Sequence, residues 1–443
     1  MKTRNLTPFD VLFYSALTKD DERIHVVAMR TDFRLIPVDE TKESHNFRAV
    51  VIDKNPPALC VEDQYWDNTA EVKRESDLAP YKPNVDVLVH GNAHAPTANT
   101  QGAFTVGIRV TRARHENAVA AADTRHDLLS KTLQISGGGF FKKKQKDMQL
   151  SPDATDGWEQ DERKSWLHEG FERITTLPMR YAYTYGGECK IPIPATKDER
   201  KRLLDSLDET VLLSEAQRSA HPESPSAPLA HTYEPLNPIG KGFVQNWFLK
   251  ASQSAAVPIP QITYPDQSWS EEAIDAFLQA CDSDDQKHPL RRPAGFGIIG
   301  RAWQPRIDKA GTYDDVWQES RHPYLPEDFE FAYWNGAPED QQIDELPVDA
   351  HIELTHMNES GKLTFDLPGH RAFLMLRYES GAIIPRRMLI DTCIIDAEAL
   401  TVSLVWRGFV SDEEAVRVLE ARYETDIDAP LLVFERDPGQ AHG

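Results

Sequence analysis

Residues 388–407 read MLIDTCIIDAEALTVSLVWR, and this stretch decides how the chain folds. Apolar side chains occupy every second position of its second half, at Leu400, Val402, Leu404 and Trp406. Such alternation is typical of a β-strand that buries one face. The segments Met388–Ile395 and Leu400–Arg407 flank Asp396–Ala399, so the stretch predicts an antiparallel hairpin.

Other parts of the chain follow the same pattern. A second hairpin is predicted around the turn Asn358–Gly361, because alternating apolar residues precede and follow it. Further strand candidates are Ile24–Arg30, Phe47–Val51, Asp86–His90 and Phe104–Thr111. Strands that follow one another without intervening helices favour antiparallel pairing over parallel crossover units. The sequence therefore predicts a mainly β fold of antiparallel sheets in sandwich-like halves with a few short α-helices, and an α+β fold is the alternative.

Helical patterns are few. Apolar residues share one face of Ser270–Cys281 and one face of Asp198–Arg218. Ser411 and Glu414 have the spacing of a capping box, which predicts a helix over Ala415–Tyr423.

The middle of the chain contains a break in regular structure. Residues 221–228 read HPESPSAP, a Pro/Ser-rich stretch that indicates a linker or an exposed loop. We therefore expect an N-terminal β-rich half at residues 1–190 and a charged helix with its Pro/Ser-rich insert at 191–230. A C-terminal β-rich half with a terminal helix is expected at 231–443.

The charge balance restricts the classes of partner. The 443 residues include 49 Lys and Arg against 71 Asp and Glu, which gives a formal net charge of −22. Such a chain is repelled by phosphate backbones and by anionic lipid headgroups, so we expect neither nucleic acid nor membrane as a partner. A basic protein partner is compatible with this charge.

The cysteines and the N-terminus predict a cytoplasmic location, and the family resemblance described below makes that cytoplasm a bacterial one. The four cysteines are isolated and far apart, at Cys60, Cys189, Cys281 and Cys393. This spacing is typical of reduced, buried thiols rather than of a redox pair or a zinc ribbon. The apolar run Val11–Leu17 makes a poor signal peptide, and no stretch approaches the ~20 apolar residues of a membrane span.

Three motifs in the sequence partly match known binding sites. Residues 295–300 fit GxGxxG, but they lack the preceding strand and following helix of a dinucleotide site, so a glycine-rich loop with positive φ is expected. Gly137–Gly139 precedes a lysine cluster at 142–146 without the ending of a P-loop. His90 and His94 lack the helix and the glutamate of a zinc motif. We therefore assign no catalytic residue, cofactor or metal.

An aromatic-rich segment follows the GxGxxG motif. It carries Arg, Trp and Tyr, which are enriched at interface hot spots, and residues 321–350 contain eight acids against Arg321 as their one base. The partner-binding candidates are Trp303, Arg306, Tyr313, Trp317, Asp328, Phe329, Glu330, Asp340 and Gln341. The alternative is a loop-rich core layer whose aromatic side chains pack together beneath a solvated acidic rim.

Short motifs occur in a fixed order along most of the chain. They are DQYW at 63–66, SDLAPYKP at 76–83, DVLV at 86–89, RY at 180–181, NPIGKGF at 237–243, PAGFG at 293–297, WQPR at 303–306, GTYD at 311–314, LPEDF at 325–329, APEDQ at 337–341, DT at 391–392 and VWR at 405–407. In this order and spacing, from about Leu6 to Gly408, the chain resembles the bacterial family of type VI secretion effector adaptors, or chaperones. The charged insert around 197–228 departs from that family's pattern.

The resemblance implies one non-enzymatic adaptor domain. Members of that family bind a cognate toxic effector and help to load it onto the secretion spike, which is a valine-glycine-repeat trimer with a PAAR-repeat tip. The residues themselves leave two alternatives open, namely a β-rich hydrolase that uses a carboxylate pair on a polysaccharide, and a structural component of the spike. For the adaptor, the segment Trp303–Asp340 is expected to form part of the partner surface.

Overall fold

The computed structural model describes residues 1–38, 45–67, 69–97, 102–112, 127–143, 166–169, 173–207, 209–245, 247–248, 251, 256–267, 269 and 291–429. Over these residues the fold is mainly β with a few short helices, which confirms the predicted class.

The strands are numbered in chain order. Strands β1 to β9 are Lys2–Asn5, Val11–Leu17, Arg23–Pro37, Asn46–Val51, Gln64–Tyr65, Val72–Arg74, Val85–His90, Asn92–His94 and Phe104–Thr111. Strands β10 to β18 are Asp127–Ile135, Phe140–Lys143, Trp166–Glu169, Thr176–Pro178, Tyr185–Gly186, Glu188–Ile191, Ala230–Tyr233, Lys241–Gly242 and Ala256–Pro258. Strands β19 to β27 are Ile262–Thr263, Gln342–Ile343, His351–Thr355, Lys362–Asp366, Arg371–Tyr378, Ile383–Arg387, Leu389–Asp396, Thr401–Ser411 and Val416–Glu424.

Helices are short. The α-helices with defined ends in the described residues, α1 to α3, are Lys197–Ser206, Glu215–Ala220 and Asp315–Ser320. Turns of 3₁₀ helix are Tyr181–Tyr183, Glu209–Val211, Ile307–Ala310, Phe331–Trp334 and Glu339–Gln341.

The largest sheet has twelve strands and is organised around the long strand β3. Its order is β19–β10–β9–β21–β22–β4–β3–β26–β25–β7–β20, with β2 paired to β3. The hairpin predicted over 388–407 is confirmed as β25 and β26, with Cys393 opposite Leu404. The hairpin around Asn358–Gly361 is confirmed as β21 and β22, with Leu354 opposite Leu363. Parallel pairing also occurs, between β4 and β22 and between β7 and β25.

A second sheet packs against the first. Its order is β1–β27–β23–β24, and its buried face contributes Leu374 and Leu419 to the core cluster that contains Trp406. Trp406 is 1% exposed, and its Nε1 donates a hydrogen bond of 2.8 Å to Thr31 Oγ1. The indole therefore combines apolar burial with a satisfied polar group, as a buried tryptophan requires.

The predicted helix over Ala415–Tyr423 is wrong, because this segment forms strand β27. The capping-box residues make local bonds in the turn instead, with Ser411 Oγ accepting the Glu413 N–H at 3.2 Å. β27 pairs with β23 on one side and β1 on the other. This pairing on both edges outweighs a weak local helix signal.

The helix predicted over Asp198–Arg218 is interrupted. α1 begins after its N-cap Thr196, and α2 begins after a capping box at Ser214. Between the two helices the Leu213 N–H donates to the Leu229 carbonyl at 3.0 Å, so the chain there runs extended beside the start of β16. Tertiary hydrogen bonding therefore keeps residues 212–213 out of the predicted helix, and α1 itself ends at Ser206.

Several other predictions concern the chain's organisation. The helix over Ser270–Cys281, the thiol of Cys281 and the lysines at 144 and 146 lie outside the described residues. Cys60, Cys189 and Cys393 are buried, as expected. The largest sheet contains strands from both 1–190 and 231–443, and the boundaries at 190 and 230 stay a prediction. Within the described ranges, no helix is long and apolar enough to cross a membrane.

Candidate partner-binding surface

The predicted partner segment consists of short helical turns joined by loops. Four of the predicted contact residues are buried, at Trp303, Arg306, Phe329 and Gln341. Tyr313, Asp328, Glu330 and Asp340 are exposed, and Trp317 is half-buried. We define the acidic aromatic surface as the half-buried Trp317 together with eight exposed side chains around it, which are Tyr313, Asp315, Val316, Glu319, Tyr324, Glu327, Asp328 and Glu330.

Arg306 anchors the segment to the rest of the protein. Its Nη2 donates to Glu75 Oε2 at 2.8 Å, and its Nε donates to the Tyr333 carbonyl at 2.7 Å. Both charged side chains are less than a tenth exposed. A buried ion pair with this many hydrogen bonds fixes geometry, because moving either partner leaves an unpaired charge. Arg306 therefore supports the surface rather than forming it.

A second ion pair joins the surface to the large sheet. The guanidinium of Arg321 makes bonds of 2.7 and 3.0 Å to the two carboxylate oxygens of Asp21, which lies in the turn between β2 and β3. This bidentate arrangement fixes direction as well as distance. The loop after α3 is thereby held against a hairpin of the main sheet.

The aromatic residues of the surface contact one another. The rings of Tyr313 and Trp317 lie 4.7 Å apart in an edge-to-face arrangement, and Trp317 Nε1 donates to the Tyr324 carbonyl at 2.9 Å. Asp314 caps α3 by accepting the Trp317 N–H at 2.9 Å. Val316 is 69% exposed and Tyr313 is 53% exposed. The structure thus presents large apolar side chains in a fixed arrangement.

Acidic residues outnumber basic residues in the segment 303–340, which contains three bases. Each of its three bases is already paired, with Glu75 for Arg306, Glu339 for Lys309 and Asp21 for Arg321. The remaining carboxylates therefore set the potential of the surface. Asp328 accepts bonds from the hydroxyl and the N–H of Thr312, which lower the pKa of its carboxyl. The acidic aromatic surface consequently stays negative at neutral pH.

Asp340 has a structural partner that the sequence did not indicate. The buried Lys131 Nζ donates to Asp340 Oδ1 at 2.8 Å, to Gln341 Oε1 at 2.7 Å and to the Gly295 carbonyl at 2.6 Å. Burial lowers the pKa of Lys131 to about 8, although Asp340 acts in the opposite direction. Tyr264 donates to the other carboxylate oxygen of Asp340 at 2.8 Å. Asp340 and Gln341 therefore hold the segment to strand β10.

A cavity of about 280 Å³ adjoins these residues. It lies between the loops at 292–309 and 332–342. Its polar lining includes Tyr264, Arg292, Gln304, Arg306, Lys309, Glu339 and Asp340. The cavity shows that the predicted segment borders a recess as well as an exposed surface.

A family model for uncharacterized proteins conserved in bacteria, DUF2169, matches residues 20–407. The chain belongs to this family. The match begins before β3 and ends within β26, so it includes the whole predicted partner segment. Searches of curated proteins and of solved structures found no significant match.

In this DUF2169 chain the GxGxxG motif serves packing. The expectation of positive φ is wrong, because none of Gly295, Gly297 and Gly300 adopts it. A Cβ at Gly295 would lie 2.7 Å from the ring of Tyr181, which is fully buried and packs edge-on against Trp303 at 5.6 Å. The motif therefore lets the backbone approach an aromatic ring beneath the candidate surface.

His90 and His94 lie on different strands in this family member. His90 ends β7 and is buried, whereas His94 ends β8 and its Nε2 lies 2.8 Å from Glu398. A search of the described residues found no group of three or more His, Cys, Asp or Glu side chains arranged for a metal ion. Each histidine is accounted for by local packing or hydrogen bonding.

Burial raises the pKa of two carboxyl groups in the described chain, Glu71 and Glu234. Glu71 accepts the Tyr181 N–H at 2.9 Å, and Glu234 accepts the Leu236 N–H at 3.2 Å. Both side chains therefore organise loops around the segment 181–237.

Proposed function

We propose that this protein is a non-enzymatic adaptor that binds a toxic effector of a type VI secretion system and helps to load it onto the secretion spike. Its partners in this role are the cognate effector and the PAAR-repeat or valine-glycine-repeat spike proteins. The observation that supports the proposal is the acidic aromatic surface, which presents exposed anchors on a rigid base. The ordered motifs that resemble the adaptor family give the proposal its specific form. The proposed location is the bacterial cytoplasm.

The surface has the composition of a docking site rather than of a solvated rim alone. Tyr313, Val316 and Tyr324 are each more than two-fifths exposed. Exposure of apolar surface to water does not stabilise the fold, and a contiguous exposed apolar patch is typical of an interaction site. Their carboxylate neighbours attract a basic partner and accelerate association. We therefore expect the effector segment to carry Lys or Arg side chains around apolar residues that cover Tyr313 and Val316.

The four predicted partner-binding residues that are buried have a different role. Arg306 and Gln341 make hydrogen bonds to the protein interior, and Phe329 packs against Phe331 and Tyr333. These residues hold the loops in one conformation before a partner arrives. Such preorganisation improves affinity by lowering the entropy lost on binding.

The test is copurification with the product of an adjacent effector gene. We expect a stoichiometric complex, and we expect a tagged spike protein to retain this chain only when the effector is present. Failure to copurify with either partner would overturn the proposal. A fixed symmetric oligomer in light scattering would instead favour a structural spike component, and polysaccharide cleavage would favour a hydrolase.

Charge-reversal variants locate the contact. Glu319→Lys, Glu327→Lys and Glu330→Lys change exposed carboxylates, whereas Asp328 and Asp340 are unsuitable because they hold Thr312 and Lys131. The triple variant is expected to slow effector association by about tenfold or more at low salt. The matched control reverses three exposed acids elsewhere, Asp53, Glu62 and Glu359. Equal effects of the two variants would show that only net charge matters.

A further inference from the structure

Two of the ordered sequence motifs meet at a tryptophan outside the acidic aromatic surface. Trp66 ends the motif DQYW, and its N–H donates to the backbone carbonyl of Glu71 at 3.0 Å in the turn between β5 and β6. Arg180 begins the motif RY, and its Cζ lies 3.2 Å from the centroid of the Trp66 ring. Lys73 on β6 places its Nζ 4.6 Å from the same ring. We call Trp66, Lys73 and Arg180 the Trp66 site.

Buried neighbours fix the geometry of the Trp66 site. The ring of buried His90 contacts the indole edge-to-face, with the two centroids 5.2 Å apart. The buried carboxylate of Glu71 accepts the Tyr181 N–H at 2.9 Å, which ties the β5–β6 turn to the backbone that carries Arg180. The fold itself therefore brings the indole and the guanidinium together, in addition to the attraction between a cation and an aromatic ring.

The two cations of the Trp66 site have no ionic partner. Within the described part of the chain, the head groups of Lys73 and Arg180 make neither an ion pair nor a hydrogen bond. Asp67 and Glu71 attract the Arg180 charge only from beyond ion-pair distance. Four other arginines that stack on aromatic rings each pair with a carboxylate, and they are Arg292, Arg301, Arg306 and Arg321. Lys73 and Arg180 are both half-buried, so a ligand in solvent can reach them.

Two like charges beside one ring are unfavourable without an anion. Their distances to the shared ring place the two cations within about 8 Å of each other, which is one Debye length at physiological salt. Partial burial also lowers the pKa of the Arg180 guanidinium, because its charge is incompletely solvated. A planar guanidinium carries its N–H donors in a fork that matches the two oxygens of a carboxylate. An anion bound here would therefore relieve the repulsion and satisfy the unused donors.

We propose that the Trp66 site binds a carboxylate group, which accepts hydrogen bonds from Arg180 and forms an ion pair with Lys73. A small organic acid and an acidic side chain of a protein both present this group. Phosphate fits less well, because it carries more than one negative charge at neutral pH and the chain as a whole has a net charge of −22. None of the three residues belongs to the acidic aromatic surface, so the two sites can be tested separately.

The experiment follows the indole N–H signals of the full chain by NMR, after labelling of its tryptophans. The Trp66 signal is identified by its loss in Trp66→Phe. The probes are sodium acetate and the capped peptide GGEGG, compared with sodium phosphate, the capped peptide GGQGG and sodium chloride at equal ionic strength. We expect acetate and GGEGG to shift the Trp66 signal saturably in the millimolar range, as for a partly exposed ion pair. Tighter binding of GGEGG than of acetate assigns the carboxylate to a protein segment, and equal binding assigns it to a small acid.

Variants then assign the binding to the two cations. Arg180→Gln is expected to weaken binding about tenfold and Lys73→Gln about threefold, because the guanidinium donates two hydrogen bonds and the ammonium one. Asp67→Asn removes an exposed carboxylate that competes for Arg180, and it is expected to tighten binding about twofold. Arg292→Gln is the matched control, because Arg292 also stacks on a ring but pairs with Asp266, and it should leave binding unchanged.

The outcomes separate the alternatives. Saturable binding that is weakened by Arg180→Gln and Lys73→Gln but not by Arg292→Gln supports the proposal. Lys73→Gln and Asp67→Asn carry the test if Arg180→Gln fails to fold. Absence of a saturable shift beyond that of chloride, tighter binding of phosphate than of acetate, or equal weakening by Arg292→Gln would overturn it. None of these results bears on effector binding by the acidic aromatic surface, whose variants lie at 319–330.

Discussion

His90 is a titrating side chain in the interior, and replacing it with leucine tests how the protein responds to acid. The imidazole is 7% exposed and lies 5.2 Å from the ring of Trp66, centroid to centroid. Burial lowers the pKa of His90 from 6.5 to about 4, although the carboxylate of Asp396 acts in the opposite direction. The folded protein therefore resists protonation of this ring.

The sign of the effect on stability follows from proton linkage. Between pH 6.5 and about 4, the unfolded chain binds a proton at His90 that the folded chain does not bind. The contribution of His90 is therefore fully present above pH 6.5 and is lost as the pH falls towards 4. At about 1.4 kcal/mol for each pH unit, the loss amounts to about 3 kcal/mol of unfolding free energy across the window.

The assay is urea unfolding of the wild-type protein and of His90→Leu at a series of pH values from about 7 to about 4.5. Other acidic groups titrate in both proteins, so the difference between the two curves isolates His90. We expect the unfolding free energy of the wild type to fall more steeply, by about 2–3 kcal/mol over this range. Two parallel curves would refute the reasoning, because they would show that His90 titrates alike in the folded and unfolded chains.

Two further substitutions test how the candidate surface is supported. Gly295→Ala places a Cβ 2.7 Å from the Tyr181 ring and is expected to lower the unfolding free energy by about 1–3 kcal/mol. The Cβ added by Gly297→Ala would lie 3.7 Å from that ring, so the melting temperature of this variant should stay close to that of the wild type. Equal losses of stability in the two alanine variants would contradict the packing role of Gly295. Arg306→Met leaves the carboxylate of Glu75 buried, with the longer 3.4 Å contact to Arg301 as its remaining ion pair. Chemical unfolding should show a loss of about 3–5 kcal/mol in the unfolding free energy, because a buried charge is left without its main partner. Adding Glu75→Gln should restore part of that loss, and a double variant no more stable than Arg306→Met would argue against a buried charge as the cause.

Local sequence patterns predicted the hairpins correctly because both strands of a hairpin and the turn between them lie within one short stretch of chain. The alternation in 388–407 specifies which side chains are buried, and a four-residue connection allows the two strands to pair. The same reasoning failed at Ala415–Tyr423, where a capping-box spacing occurs in a tight turn. There the outcome depends on β1 and β23, which are distant in sequence and invisible to a local pattern.

The candidate site was predicted only in its composition. The segment rich in aromatic residues and acids does form an exposed surface. The sequence did not show, however, which of its residues are exposed and which are buried and hold the loops in place. Arg306 is buried because Glu75, 231 residues away, pairs with it, and Asp340 is tied to Lys131, 209 residues away. Such partners are fixed by the tertiary fold, so no spacing rule within 303–340 reveals them. The excess of acidic over basic residues at 321–350 was the useful signal, because the net charge of a segment does not depend on which residues the fold brings into contact with it.

The pairing of β3 with β26 also determines when the protein can fold. Along this pair Ile24 lies opposite Ser411 and Arg34 lies opposite Thr401, so one edge of the central strand stays uncovered until nearly the whole chain has been synthesised. Contacts between such distant residues slow folding, and an open apolar strand edge invites association with other chains. A ribosome-bound chain that ends before residue 401 therefore lacks the strand that completes the sheet, and premature termination should yield an aggregating product rather than a smaller folded protein.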